Sequence, residues 1–180
     1  MPQLSFRTFL WRVTAVHVLT YFVAGLIAFT VFDYSTLYAT SELRHLMRPT
    51  TSAWVAAGPA LQVVRGVLMC LVLWPFRERL LGGERGGLAL YGLMVGLAVL
   101  GTAGPSPGSL EGLFFTTLPV SIHLVGLPEV LVQTAAFSAG LVLWCRRPAR
   151  WINVVAGVGL ALVVVMSGLG VLDARGLLPK

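Results

Sequence analysis

Charge is scarce in this chain, and lysine is almost absent from it. Only 11% of its 180 residues are Asp, Glu, Lys or Arg, where a soluble domain carries roughly 25%. Lys180 is the single lysine, so nearly every cation is an arginine. The length leaves no room for a separate soluble domain beside the apolar runs. Cysteine is rare too: Cys70 and Cys145 lie far apart with no CxxC, and read as apolar thiols packed within helices. HExxH, HxxxH, a phosphate-binding glycine loop and a nucleophile elbow are all missing. No metal and no cofactor are therefore expected. His17 and His123 fall at different depths of their runs and do not offer a pair of axial haem ligands. The basic residues form no stripe interleaved with aromatics, which excludes nucleic acid as a partner.

What the chain does have is apolar length. Hydrophobic residues make up 57% of it, and the mean hydropathy is +0.85. Runs too long for soluble-core helices recur from one end to the other, so the expected solvent is lipid. The predicted fold is an all-α membrane protein, a single domain of about five transmembrane helices with a short interfacial helix before the fourth. The spans fall at about 9–32, 53–76, 88–103, 119–144 and 151–172. The first run is too long for a cleaved signal and reads as a retained anchor. No internal repeat is visible.

Local signals set the ends. Ser5, Thr51 or Ser52, and Ser109 can cap helices. In the first span Thr14, His17, Tyr21, Ala24 and Ala28 share one polar and small face, suited to helix packing. Residues 33–52 read as a loop, with one or two helical turns before Pro49. Gly92 and Gly96 form a GxxxG pair, and Asn153, Gly157 and Ala161 a small face in the last span. The run 104–109, GPSPGS, forces an irregular turn, and 110–118 follows as the interfacial piece with Glu111 in its first turn. Pro128 should bend the fourth span.

The arginines assign an orientation. Arg7, Arg12, Arg77, Arg79, Arg85, Arg146, Arg147 and Arg150 collect on one side; Arg44, Arg48, Arg175 and Lys180 collect on the other. The positive-inside rule then places the N-terminus in the cytoplasm and the C-terminus outside. The arginine-rich, alanine- and glycine-rich composition suggests a bacterial inner membrane.

Inside the spans stand Arg65 and Glu129. Counted from Ala53 and Pro119 as span starts, they lie roughly 18 and 15 Å deep, which predicts a facing ion pair near the midplane. Gln62 and Gln133 share the faces of their respective charges. The expected groove is lined by Arg65, Glu129, Gln62, Gln133, His17 and Tyr21. Two functions are compatible with it. The first is a non-enzymatic accessory subunit or small carrier, associating with a membrane-protein partner or with itself. The second is an intramembrane enzyme acting on a lipid-linked or amphipathic substrate, with His123 and Glu111 as its catalytic candidates and Arg65 holding an anionic head group.

Overall fold

The computed structural model describes residues 4–100 and 104–178, and every regular element among them is helical. In order these are α1 (Phe6–Val31), α2 (Tyr34–Thr40), a 3-10 turn (Glu42–His45), α3 (Ala53–Leu73), a second 3-10 turn (Trp74–Phe76), α4 (Arg77–Gly82), α5 (Gly86–Leu100), α6 (Leu110–Phe115), α7 (Val120–Val125), α8 (Leu127–Arg146) and α9 (Arg150–Ala174). Four helical runs are long and apolar enough to cross a membrane: Phe6–Val31, Ala53–Gly82, Val120–Arg146 and Arg150–Ala174. The fifth expected span is α5. It is apolar but has 15 residues, about 22 Å, against a hydrocarbon core of about 30 Å. The expected end of that span, residues 101–103, lies outside the described residues, as does Lys180.

The caps follow the sequence. The Ser5 hydroxyl accepts from the Thr8 amide, Ser52 from Trp54 and Ser109 from Gly112. These serines each take one of the amides that a helix start leaves unpaired.

α1 is the central post, and α3, α8 and α9 all pack against it. Its contacts are made through small residues. Gly66 of α3 lies against the Thr14 backbone, Gly140 of α8 against Val16, and Gly159 of α9 against Leu19. Thr14, His17, Ala24 and Ala28, four members of the face read from the sequence, are buried. On its other flank α3 packs against α9. There Pro59 interrupts the hydrogen-bond ladder of α3. Ser167 of α9 repairs that stretch: its hydroxyl donates to the Ala56 carbonyl and accepts from the Ala60 amide. Large apolar side chains point outward around the four long helices, among them Leu61, Leu68 and Val72 of α3 and Val154, Val158 and Val165 of α9. That surface is compatible with a helical membrane protein.

The two ends differ. Trp11, Trp74, Trp144 and Trp151 gather at the end holding the starts of α1 and α9, where the Arg77 guanidinium sits 4.0 Å over Trp74 and that of Arg12 5.8 Å over Trp144. Arg146 donates to the carbonyls of Leu81 and Gly83 and so closes the α4–α5 turn. At the opposite end lie α2, α6 and α7.

Several local expectations need correction. Residues 34–40 are a helix, because Asp33 adopts a left-handed backbone (φ 44°) and its carboxylate caps Thr36. The fourth span breaks at Gly126 rather than bending at Pro128. Pro128 sits in the first turn of α8, where its missing amide leaves no bond unmade. Gly92 and Gly96 have open space around them, and so does Gly157. The packing face of α9 is instead Ala156, Gly159, Val163, Ser167 and Gly170.

Candidate functional site

The polar side chains of α1, α3 and α8 meet along one side of the central post. His17 is buried between the other two helices. Its Nε2 lies 3.1 Å from the Gln62 Oε1 of α3, and its ring meets Phe137 of α8 edge-on at 6.1 Å. Tyr21 follows one turn along, 6.2 Å from the His17 ring, and is within electrostatic reach of both Arg65 and Glu129. Glu129, half-buried in the first turn of α8, lies against Gly25 of α1. Gln133, one turn on from Glu129, is also half-buried.

α1 serves as a ruler for these depths. Gly66 meets Thr14, and Glu129 meets Gly25. Those two α1 positions are eleven residues apart, about 16 Å along the axis. The Gly66 backbone and the Glu129 carboxylate therefore meet α1 at different levels, and the expected direct Arg65–Glu129 pair does not form within 4.0 Å. Arg77–Glu78 is the one ion pair within 4.0 Å among the described residues. The run Val120–Arg146 is interrupted at Gly126, so Glu129 is a first-turn residue of α8 that still lies inside that run. Arg65, moreover, is exposed rather than buried. It lies on the flank of α3 with Leu61, Leu68 and Val72, turned away from the Ala56 and Ala60 side that meets α9.

Glu129 has other company. The Tyr34 hydroxyl donates to its Oε2 at 2.5 Å. Tyr34 in turn stacks on Tyr38 at 5.1 Å and on Phe32 at 6.1 Å. Burial first, and then the hydrogen bond to Glu129, push the Tyr34 phenol well above its ordinary value; burial raises Tyr38 as well. Both phenols stay protonated at neutral pH. The sequence reading missed the two tyrosines because it placed 33–52 in a loop. The signal was there: an Asp33 cap followed by Tyr34 and Tyr38, which face the same way on a helix.

It also missed Arg12, assigned to the rim of the first span. Arg12 is 7% exposed, lies over Trp144, and its Nε has no partner among the described residues.

Of the catalytic candidates, His123 of α7 lies against Gly112 of α6, the neighbour of Glu111. His123 is buried, and its Nδ1 accepts the Gly108 amide at 3.2 Å while Nε2 lies 3.4 Å from the Thr116 hydroxyl. It latches the 104–118 segment against α7. Glu111 sits in the first turn of α6. No three His, Cys, Asp or Glu side chains group in a way that would hold a metal among the described residues. No family model, no curated protein and no solved structure matches the chain.

Proposed function

We propose that this chain is a small polytopic inner-membrane protein without enzymatic activity, an accessory subunit that docks to a membrane-protein partner through the open flank of α3. One observation carries the reading: a guanidinium stands in the middle of an apolar helix, exposed, with no carboxylate within 4.0 Å among the described residues. An arginine facing lipid at that depth costs at least about 2.5–3.5 kcal/mol on insertion scales. A carboxylate on a spanning helix of a partner removes that penalty and, at the same time, selects the partner. Leu61, Leu68 and Val72 around Arg65 supply the apolar contact area. The N-terminus then lies in the cytoplasm, where eight of the twelve arginines and four of the five tryptophans mark the interface.

Site-specific photo-crosslinking in native membranes tests this. A photoreactive residue replacing Leu68 should give one discrete protein adduct, preserved in Arg65→Lys and reduced at least about tenfold in Arg65→Ala, the loss of roughly 1.4 kcal/mol of docking energy. Adducts to lipid alone, or a protein adduct indifferent to Arg65, would refute it. An adduct at twice the chain mass would make the partner a second copy of this chain and remove the accessory role.

A further inference from the structure

α8 and α9 both pack against α1 but make almost no contact with each other among the described residues. A groove of about 600 Å³ is left between them at the tryptophan end. Val16 and Thr20 of α1 line it, with Gly140 and Trp144 of α8 and Val155 and Ala156 of α9. Gly140 and Ala156 are small, which lets the groove reach down to α1. Thr20 spends its hydroxyl on the carbonyls of Val16 and His17, at 2.7 and 3.3 Å, and so offers nothing polar to an occupant. At the inner end Leu19, also in the lining, lies against Gly159 of α9. The mouth has the opposite character. Arg147, the C-cap of α8, lines it and is exposed. The turn from Arg146 to Trp151 reads RRPARW, three arginines and no acid. Arg146 is held by the carbonyls of Leu81 and Gly83, whereas Arg147 has no carboxylate within 4.0 Å among the described residues. Trp144 is buried in the wall, and the Trp151 ring, also in the lining, is exposed.

From this arrangement we propose that the groove between α8 and α9 holds one anionic phospholipid, with an acyl chain along Val16, Gly140 and Ala156 and its phosphate on Arg147. The two halves of the site match the two halves of such a molecule. Gly140 and Arg147 are seven residues apart on α8, about 10 Å along the axis, which is a lane for the upper part of an acyl chain. The guanidinium is a planar fork that binds phosphate through two parallel hydrogen bonds. Each arginine near an anionic head group contributes about 1 kcal/mol, and basic pockets between membrane helices select such head groups. A zwitterionic lipid carries the same phosphate but adds a cation among Arg146, Arg147 and Arg150. A neutral apolar molecule leaves the guanidinium unmatched. Trp151, amphipathic and exposed at the mouth, suits the level of the head groups.

α3 contributes nothing to this groove, so its failure and the failure of α3-mediated docking are separable. The test uses the full chain, stripped of native lipid in detergent and read by native mass spectrometry. It is titrated with dioleoylphosphatidylglycerol and with dioleoylphosphatidylcholine, which share their acyl chains. The first phosphatidylglycerol should bind at least about tenfold more tightly than the first phosphatidylcholine. Arg147→Gln should abolish that preference. Val155→Trp, at an exposed position of the wall, fills the groove and should weaken both lipids by about tenfold or more; it also serves as the second variant if Arg147→Gln does not fold. Arg65→Ala and Arg175→Gln, at positions outside the lining, should change neither affinity. Equal affinity for the two lipids in the parent chain, an unchanged preference in Arg147→Gln or unchanged binding in Val155→Trp overturns the site. Displacement of the lipid by an equal concentration of inorganic phosphate would reduce it to a bare anion contact and overturn it too. A dimer in place of the lipid adduct would give the groove to a second copy of this chain, again against the proposal.

Discussion

Gly66→Ala should open the contact between α1 and α3 and expose Cys70. A Cβ built on Gly66 would come within 2.8 Å of the Thr14 Cα and 3.1 Å of its Cγ2. The obstacle is backbone, which no rotamer change relieves. The two helices would have to separate along the stretch where Gln62 reaches His17 and Cys70 lies fully buried. Helices in lipid associate through close van der Waals packing rather than through exclusion of water, so the distance between backbones governs the energy. The expected loss is about 2–3 kcal/mol, the upper part of the range for overpacked interiors. Cys70 reports it directly. Its thiol is shielded in the parent chain and should react with a small maleimide in the variant at a rate faster by about 30-fold or more. Unchanged reactivity would mean that Gly66 is not at a helix crossing. Gly92→Ala and Gly157→Ala, where nothing stands within 4 Å of the added carbon, are the matched controls and should leave the rate as it is.

The second large effect is expected at Phe137. Its ring is 1% exposed and packs edge-on against His17 in the layer where α1, α3 and α8 meet. Phe137→Ala leaves a cavity that helices tied together by glycine contacts above and below cannot collapse to fill. Phe→Ala substitutions in cores cost about 3–5 kcal/mol. Here the lower bound applies, because lipid solvates an exposed phenyl ring in the unassembled state as well as the interior does. A drop of about 3 kcal/mol should appear in detergent or denaturant unfolding, and Phe137→Leu should recover more than half of it. A loss under about 1 kcal/mol would show that the His17 layer does not hold the bundle together.

Which parts of this arrangement were legible in the sequence follows from what the physics makes local. The caps at Ser5, Ser52 and Ser109 depend on a serine and the next three amides, so they can be read directly. The packing face of α1 depends on the 3.6-residue period, and Thr14, His17, Ala24 and Ala28 were assigned from it correctly. The membrane-crossing character of Phe6–Val31, Ala53–Gly82 and Arg150–Ala174 is a matter of apolar length. Depth is different. It depends on how the helical run is divided, and one break at Gly126 makes Glu129 a first-turn residue of α8. Partnering depends on neighbours remote in sequence. Glu129 joins Tyr34 across 95 residues, and Trp11 donates to Asn153 across 142. The glycines show the same limit, since Gly66 and Gly159 touch α1 while Gly92, Gly96 and Gly157 touch nothing. A GxxxG spacing states that close approach is permitted, not that a helix is there to approach.

The central claim is that the cation of α3 and the anion of α8 do not pair with each other. A double-mutant cycle of Arg65→Ala and Glu129→Ala, read as unfolding free energy in the same bilayer mimic, addresses it most directly. Side chains that form no direct ion pair should behave additively, with a coupling energy below about 0.5 kcal/mol. A coupling of about 1.5 kcal/mol or more would mean that the two side chains meet after all, and that claim would be wrong.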